Sequence, residues 1–172
     1  FDFNAEKYFE KGNERRGFMK MALALLIKIK SVKRLKKLLY TLNDYNAFAS
    51  VVEACRPYTY EFDKSYYQPF LQRVINACGD EKHLNFFEHS YYSNLGLPFE
   101  VDLGERYVYS PHAYDIFIDS PLYNKYSSDE RIKYIIDNIR KNQLNMNVPV
   151  VMGEWGGGAN HGNQWFKHID YI

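Results

Sequence analysis

Val148-Pro-Val-Val-Met-Gly-Glu-Trp-Gly-Gly-Gly158 decides how this chain is read. A short β-branched run ends on Gly153-Glu154-Trp155 and gives way to glycines. An aliphatic run of this kind fits a parallel strand covered on both faces. The glycines let the backbone turn sharply and let a ligand come close. A carboxylate beside an indole at the end of such a strand suits a sugar. The acid supplies chemistry and the ring stacks on the apolar sugar face. The plainer alternative is that Glu154 caps the helix that follows.

Working outward, residues 127–141 predict a helix that precedes this strand. Ser127 and Glu130 form a capping box. Ile132, Ile135, Ile136 and Ile139 supply its buried stripe, and Arg140 and Lys141 sit where the helix dipole favours positive charge. Further upstream, Tyr107-Val-Tyr-Ser-Pro-His112 predicts a strand running into Ala113-Tyr114-Asp115. Before it come a loop, Tyr91 to Gly104, and a short strand, Leu84-Asn-Phe-Phe-Glu88. A helix over 64–78 precedes that strand, with Tyr67, Phe70, Leu71, Val74 and Cys78 on one stripe. Residues 19–39 predict a basic amphipathic helix. Its favoured reading is an outer helix with a solvated lysine face, and the other is contact with a membrane surface or an acidic partner. Helices alternating with strands imply a parallel sheet with covering helices.

Three successive strands thus end on polar residues: Glu88, then His112 with Tyr114, then Glu154 with Trp155. In a parallel sheet or barrel the strand C-termini share one edge, where α/β barrels carry their catalytic groups. These residues are therefore expected to converge, although 24 and 42 positions separate the three strand ends. Taken singly, Glu88 reads as a salt-bridged strand end and His112 as a structural histidine.

Composition narrows the classes. The 172 residues fit one domain or part of a larger one. Aromatics reach 17%, which suits a carbohydrate-facing cleft or an aromatic-rich core. A formal net charge of +1 gives no bulk field for nucleic acid. Cys55 and Cys78 sit in no CxxC or Cys/His cluster, so no metal site is expected. The longest apolar run, Met21 to Ile27, is far short of the roughly 20 residues of a spanning helix. The chain opens on Phe1 rather than Met, so its natural start and any leader are expected upstream, and localisation is left open.

Tyr109-Ser-Pro-His-Ala-Tyr114 followed by Val150-Val-Met-Gly-Glu-Trp-Gly156 resembles glycoside hydrolase family 5, retaining glycosidases built on (β/α)₈ barrels. Tyr67-Gln-Pro-Phe-Leu-Gln-Arg73, Leu84-Asn-Phe-Phe-Glu88 and Ser93-Asn-Leu-Gly96 are closest to its endoglycoceramidase-like branch. The resemblance covers roughly residues 64–165. It implies an α/β fold for 1–172, a single partial (β/α)₈ TIM barrel with parallel strands and outer helices. It implies Glu154 as the catalytic nucleophile ending the seventh strand. His112 and Tyr114 would orient that nucleophile and line the sugar subsite, Glu88 would stand at the cleft edge, and Trp155 beside the nucleophile. A carbohydrate or glycolipid substrate is implied, with no metal or organic cofactor. Such barrels usually run to about 250 residues, so the missing barrel half is expected from upstream sequence.

The resemblance breaks at the second carboxylate. Retaining glycosidases need two carboxyl groups about 5–5.5 Å apart. The family's Asn-Glu-Pro motif is absent here. Leu39-Tyr-Thr-Leu-Asn-Asp44 offers Asp44 as a weak substitute, and Asn13-Glu14 has no strand leading into it. Two functions therefore compete: a retaining β-glycosidase using Glu154, and a non-catalytic carbohydrate-binding relic that has lost its acid/base.

Overall fold

The structure is a computed structural model that describes residues 31–78, 83–90, 95–102, 104, 107–157 and 164–171. Two compact units are present, Phe1–Leu42 and Asn43–Ile172. In the first, helix α1 (Val32–Thr41) starts at Ser31, whose hydroxyl accepts the Arg34 N–H. It buries no residue, and Lys33, Arg34, Lys36 and Lys37 are exposed, which fits a solvated basic face. The first part of the expected basic helix, 19–30, and Asn13-Glu14 lie outside the described residues. No helix among the described residues is long and apolar enough to cross a membrane.

The second unit carries helices α2 (Tyr45–Glu53), α3 (Arg56–Phe62) and α4 (Gln68–Cys78). A π-helical turn, Asp63–Tyr67, joins α3 to α4. Strands β1 (Asn85–Phe87), β2 (Tyr107–Tyr109) and β3 (His112–Ala113) follow. Helices α5 (Tyr123–Tyr126) and α6 (Asp129–Met146), strand β4 (Glu154–Trp155) and helix α7 (Gln164–Ile169) complete it.

Among the described residues all strand pairs are parallel. β1 pairs with β2 in the register Phe87↔Tyr109, and β3 pairs with β4 as His112↔Glu154 and Ala113↔Trp155. A bridge between Tyr109 and Val150 links the two pairs. The Tyr109 N–H donates to the Pro149 carbonyl (2.9 Å), the Val151 N–H to the Tyr109 carbonyl (2.9 Å), and the Gly153 N–H to the Pro111 carbonyl (2.8 Å). Residues 149–155 therefore run beside 109–113, and the Ser110 N–H donates to the Phe87 carbonyl (2.8 Å) on the other side. The fold is mixed α/β with short parallel strands, and no closed barrel is formed among the described residues.

The core lies between this sheet and α6. Ile132, Ile135 and Ile139 are buried against Phe87, Tyr107 and Tyr109, with Phe48 and Val52 of α2 alongside. The expected loop 91–104 contributes as well. Leu97, Phe99 and Val101 alternate inward, and Phe99 stacks on Tyr109 with centroids 5.7 Å apart. A period-2 apolar pattern is extended backbone with one buried side, and it was hidden by the Gly and Pro around it.

Four expectations need correction. Helix α6 is capped by Ser128 rather than Ser127: the Ser128 hydroxyl accepts the Arg131 N–H, and Ser127 lies outside the helix. The helix runs on to Met146 and ends on Asn147 at φ 53°, so Arg140 and Lys141 fall short of its last turn. Asn tolerates that left-handed position and stops the helix there. From the π turn into α4 the inward face is Tyr67, Leu71 and Ile75, spaced by four, while Phe70, Val74 and Cys78 are exposed. Phe70 instead stacks on Tyr67 with centroids 6.3 Å apart. Lastly, Val150 and Val151 are exposed, not covered on both faces. Among the described residues their strand has a single neighbour, and Val148 alone in this run is buried.

Candidate active site

β4 owes its position to Gly153. A Cβ there would lie 2.6 Å from the Ser110 Oγ and 2.9 Å from the Ser110 carbonyl oxygen. Only a bare Cα allows this strand to approach β3 so closely. The close approach is thus to a neighbouring strand. It brings Glu154 into register with His112, so the two side chains emerge side by side from paired positions. Gly156 follows at φ 130°, a region that favours glycine, and turns the chain away after Trp155.

Glu154 does not cap a helix; it lies in β4 with its carboxylate exposed. Its Oε2 lies 3.3 Å from His112 Nδ1 and accepts from the Tyr114 hydroxyl at 3.4 Å. The His112 and Tyr114 rings meet edge to face, with centroids 6.4 Å apart. Burial, followed by the Glu154 charge, pushes the Tyr114 phenol above its ordinary range, so the hydroxyl stays a donor. On its other side, the same His112 Nδ1 lies 3.2 Å from Glu88 Oε1. With a carboxylate on each side, Nδ1 carries the proton. Glu88, His112, Tyr114 and Glu154 therefore form one contiguous group at the C-terminal edge of the sheet.

Two further residues support the group, and neither role follows from the sequence pattern. The Tyr67 hydroxyl donates to the Glu88 backbone carbonyl at 2.5 Å and pins the end of β1. Burial, with the Glu88 charge next, raises its phenol to about 12. Below Glu88, His89 is buried and its Nδ1 lies 2.7 Å from the Tyr109 hydroxyl. A side chain that reaches across from a helix, as Tyr67 does, leaves no trace in strand periodicity.

An open cleft of about 430 Å³ lies beside the group. Tyr114, Ile118, Asp119, Glu154, Trp155, Gly156 and Gly157 line it. The volume is in the range of small-ligand sites. Trp155 is 45% exposed and lines this space. Ile118 and Asp119 follow β3 and were not anticipated; nothing in their spacing set them apart. No group of His, Cys, Asp and Glu suited to a metal ion occurs among the described residues.

Asp44 has a different place from the one the sequence suggested. Leu39–Thr41 belong to α1, so no strand leads into it. Asp44 is the N-cap of α2 and its Oδ1 accepts the Ala47 N–H at 2.8 Å. The Asn-Asp pair is a helix start, the use these residues prefer.

Comparison with curated proteins and with solved structures gave no match. The family model for cellulase (glycosyl hydrolase family 5) matches residues 57–172, well over half of the chain. That span contains all four strands and every residue of the group around Glu154. The chain belongs to the cellulase family, glycosyl hydrolase family 5.

Proposed function

We propose that this chain is a retaining β-glycosidase in which Glu154 is the nucleophile. The observation that carries this is that two polar side chains meet one carboxylate oxygen. The His112 and Tyr114 contacts both fall on Glu154 Oε2. Oε1 is left to attack, while two donors hold the charge and the aim of the group. Oε1 bonds to the anomeric carbon as the glycosidic bond breaks, and the leaving oxygen takes a proton. Water then hydrolyses the glycosyl ester with retention. The proton comes from a second carboxyl group. A partial (β/α)₈ barrel is the matching architecture, supported by the apolar residues Phe86, Val150 and Val151 exposed on its outer strands. The substrate is a β-linked glycan or glycolipid, with Trp155 as stacking ring, and the endoglycoceramidase-like branch is the closest subgroup by motif.

The test is hydrolysis of 2,4-dinitrophenyl β-cellobioside by the protein and by Glu154→Gln. A loss of about 10³-fold or more is expected for a nucleophile. Unchanged turnover by the variant removes the assignment.

A second function is favoured by the capping role of Asp44, which ties down the candidate proton donor. Without a donor the cleft would bind sugar and not cleave it. Calorimetric binding of cellobiose with no hydrolysis of methyl β-cellobioside, whose alkoxide leaving group must be protonated, distinguishes this relic from the enzyme.

A further inference from the structure

One imidazole nitrogen lies close to two carboxylates in this site. His112 Nδ1 lies 3.2 Å from Glu88 Oε1 and 3.3 Å from Glu154 Oε2. A single proton cannot satisfy both acceptors fully, so it is shared in the free protein. Attack through Oε1 removes the charge of Glu154 and turns Oε2 into an ester carbonyl, a weaker acceptor. The N–H then needs another partner. We infer that Glu88 is a positioning residue that acts through His112, taking the Nδ1–H as Glu154 becomes a glycosyl ester and returning it when water releases the sugar. This rests on the nucleophile assignment above. No proton is transferred; one hydrogen bond shifts between two oxygens as negative charge leaves one of them. The geometry suits the role. Tyr67 fixes the Glu88 backbone at 2.5 Å, and the strand register holds His112 beside Glu154. Glu88 does not line the cleft beside Glu154, so its side chain reaches the reaction through the imidazole rather than the sugar.

The test is a double-mutant cycle in the full chain, using Glu88→Ala, His112→Ala, the double variant and Glu88→Gln. Two rates are read: turnover of aryl β-cellobiosides, and covalent labelling of Glu154 by 2,4-dinitrophenyl 2-deoxy-2-fluoro-β-cellobioside. Glu88→Ala should slow both by about 10- to 100-fold, the range for one charge-assisted hydrogen bond, with KM little changed. Glu88→Gln should recover most of the rate, because its amide oxygen still accepts the N–H. On the His112→Ala background, Glu88→Ala should have no further effect. The Glu88 side chain is 54% exposed, so truncation leaves the core intact, and an unchanged melting temperature checks this. Additive losses overturn the inference, since Glu88 would then act on the sugar directly. A loss that grows with the basicity of the leaving group overturns it too, since Glu88 would be the proton donor. Failure of the nucleophile assignment looks different: the native chain then forms no adduct on Glu154, and both proposals fall.

Discussion

Tyr114 keeps its proton beyond the ordinary phenol range, because burial and the Glu154 charge disfavour the phenolate. The donation to Glu154 therefore persists from neutral to mildly alkaline solution. Tyr114→Phe should lower kcat by about 10-fold or more across that whole range, without a pH-dependent recovery, as measured with an aryl β-cellobioside. Gly153→Ala should do more. Its Cβ would strike the Ser110 carbonyl, which cannot rotate away as the hydroxyl can. Overpacking of that kind costs typically 1–3 kcal/mol. Here it would also push β4 off β3, so thermal melting and turnover should fall together. The convergence of Glu88, His112, Tyr114 and Glu154 was readable because successive parallel strands bring their C-terminal ends to one edge. The sharing of the His112 proton was not readable, since it depends on register, and register is set by the Gly153–Ser110 approach. The helical period puts Tyr67 on a stripe, and its hydroxyl contact depends on a helix–strand distance that periodicity does not carry.

Helix α6 was legible through its isoleucines, and its cap was displaced by one residue. Ser127 and Ser128 are both good caps in isolation. Ser128 wins because its hydroxyl also donates to the Asn43 carbonyl (2.8 Å) and its N–H donates to Asp115 (3.2 Å). Ser128→Ala should cost about 1 kcal/mol or somewhat more by urea unfolding, whereas Ser127→Ala should be nearly neutral. The π turn between α3 and α4 had no signal in the sequence. It buries Asp63, whose carboxylate accepts the Glu100 N–H at 3.2 Å. Burial raises that carboxyl from its ordinary value to about 6. The folded protein then binds the proton more tightly than the unfolded chain, so unfolding releases it. Stability from this group is greatest below about pH 4 and declines as pH rises through 6. Asp63→Asn should remove this slope and raise the melting temperature at pH 7, while leaving it little changed at pH 4.

The unit Asn43–Ile172 is held together at its centre by a buried ion pair that composition did not foreshadow. Arg131 and Asp115 are both fully buried. Arg131 Nη2 lies 2.8 Å from Asp115 Oδ2 and its Nε 3.1 Å from the same oxygen. Arg131 also donates to the Asn43 side chain (2.6 Å) and to the Tyr126 carbonyl. The pair joins the segment after β3 to the first turn of α6 and thereby fixes the chain beyond the His112–Tyr114 strand end. Breaking a buried pair leaves an uncompensated charge and costs about 3–5 kcal/mol. That is a large share of a domain's usual stability, so Arg131→Leu should unfold this unit at much lower urea than the native chain. Parallel α/β organisation followed from the alternation of helices and apolar strands. The inward side of 95–102 and the exposure of Val150 and Val151 did not, because both depend on which neighbours each strand has. Glu154 as nucleophile is the claim that joins these scales. Its most direct measurement is peptide mapping by mass spectrometry after inactivation with 2,4-dinitrophenyl 2-deoxy-2-fluoro-β-cellobioside. A single fluoroglycosyl adduct on the peptide that carries Glu154 is expected; an adduct on a different carboxylate, with Glu154 unmodified, would contradict it.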